Sequence, residues 1–498
     1  MSRRPPRDRD AVRDLAPMVR LRRGRTRVVA VAVAAIAVLA CASAVIPTSV
    51  SPGAAGVEPP RATALGPTLR ETGEGPSGYE VTFRYDAPGA TAVALVGDLY
   101  FTDPSRIGPD MSHDARTGHE WRAGDVPHAL VTQQPASLEQ GADGVWEITM
   151  ALPAGVHSYG FITGECEAAL LCGAAFDPAN PPVFADEPQA SAQTLSQVYV
   201  PEHPEFSTYD PSHVAPPRDG EPTGEVRHVT YPSAQSSLPG GEHPLGVYLP
   251  PGWDPERGAP YPLLVLSHGA YDNETSWFSQ GAASAILDHA IADGAMPPAV
   301  VITTLFEDLT PAQMGEPAFF SAYADELRDS VLPFVEREFH AGALREERSF
   351  GGLSMGGALG LNLLAEHPDL FASYGLWSAA ADMGADSVAA PSDEQLTRMS
   401  RARAIHLGTG VHDALQGIGQ RSQERAALYA DLGLPVTTHD VDGGHTWDVW
   451  RQQLDDYVRG AAFGDPAPVP ERQWGWIAVL VLGVALAGAA IGAVRRGV

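Results

Sequence analysis

Apolar positions change character several times along the chain. Uncharged apolar runs occupy 28–46 and 474–494, near the two ends. As helices rising 1.5 Å per residue, both are long enough to cross about 30 Å of hydrocarbon. Between 76 and 200 the pattern alternates with period two. Tyr79-Glu80-Val81-Thr82-Phe83-Arg84-Tyr85 and Gly144-Val145-Trp146-Glu147-Ile148-Thr149-Met150 are examples. Alternation of this kind places apolar side chains on one face of a strand. Further strands are expected at 91–96 and 157–163, with Pro153-Ala154-Gly155 as a turn. The segment reads as an all-β sandwich of immunoglobulin-like type. From 225 onward, short apolar runs alternate with helical segments. Strands are expected at 262–267, 299–304, 348–352, 373–378, 403–408 and 436–441, and helices at 321–338, 355–366 and 447–460. That alternation predicts an α/β domain with a parallel sheet and crossover helices.

These changes divide the chain into a basic segment 1–27, an apolar run 28–46, a linker 47–75, a β domain 76–200 and a linker 201–224. An α/β domain 225–462, a linker 463–473, a second apolar run 474–494 and a tail 495–498 complete it. Length agrees, since 498 residues exceed one ordinary domain.

Charge adds orientation. Acids outnumber bases 61 to 33, for a net charge of −28, which argues against nucleic acid as a partner. Every base is Arg, so Lys chemistry is excluded. Arg residues cluster on the outer flank of each apolar run, from Arg3 to Arg27 and at Arg495 and Arg496. The positive-inside bias then keeps both termini in the cytoplasm and exports the acidic middle. The expectation is one transmembrane helix near each terminus, a cell-membrane location and the lipid bilayer as a partner. Ala42-Ser43-Ala44 resembles a signal-peptidase site, so a cleaved signal sequence is the alternative for the first run. Cys166 and Cys172 stand six apart, and an oxidising compartment would let them pair as a disulfide. His113, His119 and His128 lie near Asp110, Asp114 and Asp125 without ligand-like spacing; a solvated loop is expected, with no metal and no cofactor.

Gly352-Leu353-Ser354-Met355-Gly356 fits Gly-x-Ser-x-Gly. The bare pattern is weak, but here an expected strand precedes the Ser and an expected helix follows it. A nucleophile on such a turn needs Gly on both sides so that backbones pack closely and the hydroxyl projects.

With these residues the chain resembles a known family. Arg348-Ser349-Phe350-Gly351-Gly352-Leu353-Ser354-Met355-Gly356-Gly357 and His367-Pro368-Asp369-Leu370-Phe371 resemble the esterase D / enterochelin esterase-like branch of the α/β-hydrolases. Feruloyl esterases and bacterial mycolyltransferases are related to that branch. The resemblance covers roughly 225–462; the β-rich segment before it resembles, more loosely, the sandwich domain of enterochelin esterase-like proteins. It implies a general base at His445, in Gly443-Gly444-His445-Thr446-Trp447, with Trp450 and Arg451 following. Family order puts the acid between Ser and His, which selects Asp413 on the loop after 403–408, with Glu424 as fallback. The oxyanion hole is carried onto the backbone N–H groups of Ala270 and Met355, with Gly269 allowing the turn. His268 precedes the Ser and fits another role.

The leading functional expectation is a membrane-anchored, extracytoplasmic serine esterase acting through an acyl-enzyme. An acyltransferase passing the acyl group to a cell-envelope glycan uses the same triad. A non-catalytic binding module on a hydrolase scaffold is the alternative from another class. The ester substrate could be an envelope acyl glycan or a siderophore-like ester; cleavage of the latter is usually cytoplasmic, whereas this domain is expected outside.

Overall fold

The computed structural model describes residues 65–465 except 109–115, 118–119, 128–134, 167–172, 186–194, 207–209, 310–316 and 383–386. Both apolar runs, the three loop histidines and Cys172 lie outside the described residues. Cys166 is described and packs beside Val96 and Ile162. No helix among the described residues is long and apolar enough to cross a membrane.

The β-rich part contains β1 (Thr68–Glu71), β2 (Tyr79–Asp86), β3 (Val93–Gly97), β4 (Tyr100–Thr102), β5 (Arg116–Thr117) and β6 (Val126–Pro127). It continues with β7 (Ala136–Ser137), β8 (Glu139–Gln140), β9 (Val145–Ala151), β10 (Gly155–Thr163) and β11 (Ser196–Val200). Two antiparallel sheets, β1-β2-β9-β8 and β11-β10-β3-β7, share one apolar core; β5-β4-β6 forms a smaller third sheet. Period two explains the packing. Val81 and Phe83 point inward from β2, and Tyr159 and Phe161 from β10, all buried. Phe83 and Tyr159 meet across the core with ring centroids 4.7 Å apart.

The α/β part has one eight-stranded sheet. Its strands are β12 (Glu225–Pro232), β13 (Glu242–Leu249), β14 (Leu263–Ser267), β15 (Val300–Thr304), β16 (Arg348–Leu353), β17 (Ser373–Trp377), β18 (Ala404–Gly408) and β19 (Val436–Thr438). The order is β12-β13-β15-β14-β16-β17-β18-β19; β12–β13 and β13–β15 pair antiparallel, and the remaining pairs are parallel. The strands β14 to β18 are buried along their length, as a sheet covered on both faces requires.

Helices α1 (Ala283–Ala292), α2 (Pro317–Glu326), α3 (Leu332–Phe339), α4 (Met355–Glu366), α5 (Asp393–Met399), α6 (Ile418–Asp431) and α7 (Trp447–Arg459) cover those faces. The expected single helix 321–338 is instead α2 and α3 joined by a π-helical stretch, Leu327–Val331. Pro333 sits in the first turn of α3, where its missing N–H breaks the regular ladder. The two parts are linked by Arg451 of α7, whose guanidinium donates to the carbonyls of Gln280 (2.9 Å) and Val156 (2.7 Å).

Candidate active site

Ser354, Met355, Asp413, His445 and Ala270 sit beyond the C-terminal ends of parallel strands, where open α/β sheets gather their ligands. Ser354 follows β16 and caps α4. Its backbone takes φ 51° and ψ −111°, a conformation that L residues rarely adopt. The turn is clamped on both sides. The Ser354 N–H donates to Trp377 O at 2.9 Å, and the Ala380 N–H donates to Ser354 O at 2.8 Å. The glycines are explained by contact. A Cβ on Gly352 would stand 2.5 Å from the Gly356 backbone, and one on Gly356 would stand 2.5 Å from Ser267 O.

His445 lies on the loop between β19 and α7. Its Nε2 is 3.0 Å from Ser354 Oγ, and its Nδ1 is 2.7 Å from Asp413 Oδ2. A carboxylate only accepts, so Nδ1 carries the proton and Nε2 is left to accept from the Ser354 hydroxyl. The Asp413 side chain is fully buried and that of His445 is 10% exposed. Asp413 Oδ1 accepts from the Leu415 N–H at 3.3 Å, which fixes the carboxylate plane. The loops holding Asp413 and His445 are bonded to each other: the Val411 N–H donates to Val441 O and the His412 N–H to Gly443 O, both at 2.9 Å. Gly410 permits that approach, because a Cβ there would lie 2.4 Å from Gly443 O. The indole of Trp450 meets the His445 ring edge-on, centroids 5.0 Å apart.

Gly269 brings the loop after β14 against Ser354; a Cβ there would be 3.4 Å from Ser354 Cβ. Ala270 follows directly. Met355 occupies the first position of α4, where a helix leaves its N–H without an intrahelical acceptor. Glu424, the fallback acid, bonds to Gln420 and Arg421 instead. His268 is buried and stacked on Phe306; burial pushes its pKa down to about 4, so the ring is neutral.

Some residues here carried no signal in the sequence. Tyr271 has φ 72° and a side chain 58% exposed, next to Ala270. Asp272 accepts from Gln280 Nε2 at 3.0 Å, and burial raises its pKa to about 7. Glu307, on the loop after β15, is raised to about 9, first by burial and then by neighbouring carboxylates including Asp272. The loop after β14 thus has a cluster of reluctant acids behind it. Among the described residues no group of three or more His, Cys, Asp or Glu side chains could hold a metal ion.

Residues 236–461 match the family model described as "Putative esterase". An endo-1,4-β-xylanase/feruloyl esterase of Xylanibacter ruminicola is 30% identical over 242 residues, 47% of this chain and 30% of that protein. Endo-1,4-β-xylanase Y of Acetivibrio thermocellus is 36% identical over 128 residues, 24% of this chain and 11% of that protein. The chain therefore spans less than a third of either curated relative. Among solved structures, enterochelin esterase from Shigella flexneri is 19% identical and covers 79% of this chain and 94% of that chain, with a TM-score of 0.47. The sheet order, the strand–Ser–helix turn and the family match agree, and over residues 236–461 the chain resembles the "Putative esterase" family of α/β-hydrolases.

Proposed function

We propose that the chain is a serine esterase that hydrolyses carboxylic esters through Ser354, His445 and Asp413. One observation carries the reading: a serine on a strained strand–helix turn is hydrogen-bonded to a histidine that is itself bonded to a buried aspartate. Ser354 Oγ attacks the ester carbonyl carbon while its proton passes to His445 Nε2. The oxyanion is received by the N–H groups of Met355 and Ala270. The alcohol leaves with the proton from Nε2, giving the acyl-enzyme. Water then gives a proton to Nε2 and its oxygen to the acyl carbon, which releases the acid and restores Ser354. Asp413 holds the tautomer and stabilises the imidazolium.

The reading extends to context. Arg residues outside the runs 28–46 and 474–494 support a membrane-anchored ectodomain in the extracytoplasmic space. Two antiparallel sheets around one core support an immunoglobulin-like reading of the β domain. In that compartment Cys166 pairs with Cys172. The feruloyl esterase in the name of the Xylanibacter ruminicola relative supports feruloyl-type esters as the substrate class.

The test is turnover of small aryl esters by the full-length chain. Ser354→Ala and His445→Ala are each expected to lower kcat by about 10⁴ or more, without additivity in the double variant. Full activity in Ser354→Ala would remove the proposal.

A further inference from the structure

The esterase chemistry leaves one buried histidine unused. The His268 ring is stacked on Phe306, with centroids 4.2 Å apart and planes inclined by 17°. Its Nδ1 is 2.7 Å from Gly269 O; a carbonyl only accepts, so Nδ1 carries a proton. Nε2 is buried and has no hydrogen-bond partner among the described residues. The atom facing it is Glu307 Oε2, 3.5 Å away, which is also buried and also without a partner. Two acceptors left facing each other would each carry the penalty of an unpaired buried group. One proton between them removes both penalties. Burial pushes the His268 ring down to about 4 and the Glu307 carboxyl up to about 9, which puts that proton on Glu307 at neutral pH.

The surroundings of Glu307 favour its acid form. Asp272 and Glu274, on the loop after β14, and its own neighbour Asp308 add like charge. His228 of β12 is turned to Glu274 at 2.8 Å, and the Tyr323 hydroxyl of α2 is bonded to Thr304 Oγ1 at 2.7 Å. The loop is anchored just beyond Glu307, where the Ser237 N–H donates to Asp308 O at 2.7 Å. The Glu307 side chain as a whole is 29% exposed, so its carboxyl exchanges protons with solvent.

What the pair holds is the turn after β14. Gly269 O also accepts from the Asp272 N–H at 3.4 Å. The Gly269–Ala270 peptide is trans, and in a trans peptide the C=O and N–H point in opposite directions. Pinning the carbonyl to the His268 ring therefore fixes the direction of the Ala270 N–H. The His268 backbone reaches the other oxyanion donor: its carbonyl accepts at 3.0 Å from the Gly356 N–H, next to Met355 in the first turn of α4.

We propose that Glu307 and His268 are positioning residues for the oxyanion hole: the Glu307 carboxyl, in its acid form, donates to His268 Nε2, and the ring holds the Gly269–Ala270 peptide with the Ala270 N–H toward Ser354. The inference deepens the esterase reading and rests on it. It makes turnover sensitive to a group outside the triad. As pH rises through about 9 the Glu307 proton is lost, a carboxylate confronts the Nε2 lone pair, and the ring loses its anchor.

The test is kcat and KM of the full-length chain for a small aryl ester from pH 6 to 10, corrected for spontaneous hydrolysis, with far-UV circular dichroism to follow folding at each pH. Wild-type kcat is expected to fall about fivefold or more between pH 8 and 10. Glu307→Gln, whose amide donates to Nε2 at every pH, is expected to stay within about twofold of wild type at pH 7 and to lack the alkaline fall. Glu307→Ala is expected to lower kcat about tenfold at pH 7 with KM little changed, less than the ~10²–10³ lost when an oxyanion donor is deleted outright. Should Glu307→Ala fail to fold, the near-isosteric Glu307→Gln decides. An alkaline fall in folded Glu307→Gln equal to that of wild type, or no fall in wild type, would overturn the inference. If Ser354→Ala is inactive when either happens, the positioning role alone is lost. Full turnover in Ser354→Ala would remove the esterase reading and this one with it.

Discussion

Ser354 stands on a backbone that a serine would not choose, and the neighbouring glycines are the reason it can. That much was legible, because Gly-x-Ser-x-Gly between a strand and a helix encodes the turn directly. His445 was legible for a related reason: Gly443 and Gly444 leave room for the close approach of the Asp413 loop. Asp272 was not, because its environment is assembled by Gln280 and by burial rather than by adjacent sequence. Its pKa carries a prediction. Folding raises it from 3.8 to about 7, so between those values the folded chain holds a proton that the unfolded chain has released. Stability then falls as pH rises through this window, by about 4 kcal/mol if the full shift is expressed. Asp272→Asn keeps the acceptor for Gln280 and removes the titration. Thermal unfolding from pH 4 to 8 should show the wild type losing ground to Asp272→Asn as pH rises. A constant difference between them would contradict this assignment.

At the scale of elements, the expected strands at 262–267, 348–352, 373–378 and 403–408 correspond closely to β14, β16, β17 and β18, and the expected helix 355–366 coincides with α4. These segments are buried and strongly patterned, so local sequence and tertiary context agree. The antiparallel β12 and β13 were not expected: β12 is a half-exposed edge strand with little apolar alternation, and Pro244 interrupts the pattern of β13. The run 436–441 gives only the three residues of β19, although beyond them the His439 and Val441 N–H groups still donate to Leu407 O and Thr409 O and Asp440 accepts from the Thr409 N–H. The packing of α4 on β14 gives a prediction. Gly356→Ala would drive a methyl group against Ser267 O and His268 O, where only 2.5 and 2.6 Å are available. Overpacking of this kind costs about 1–3 kcal/mol. Because the helix carries both Ser354 and the Met355 N–H, ester turnover should fall with it. Denaturant unfolding beside kcat tests the point, and unchanged values for both would show that the helix shifts freely.

For the whole molecule, the passage from antiparallel β sheets to an α/β sheet near 200–225 was readable from the change of period, but the contact that Arg451 makes across it was not. Arg451 belongs to a short pattern after His445, and nothing in that pattern says that its guanidinium reaches carbonyls of Gln280 and Val156. The contact needs a planar, multiply donating head, which Lys lacks. Arg451→Ala should cost about 3–5 kcal/mol by leaving Asp98 and those carbonyls without their buried partner. Arg451→Lys should recover little of it. Equal unfolding midpoints for wild type and Arg451→Lys would show that charge alone holds the parts together.

The central claim is that Ser354 is the nucleophile, activated by His445. The most direct measurement is peptide mapping by mass spectrometry after reaction of the full-length chain with a fluorophosphonate. The account predicts one adduct, on the peptide containing Ser354, absent in Ser354→Ala and strongly slowed in His445→Ala. An adduct on another serine, or undiminished labelling of Ser354→Ala, would contradict it.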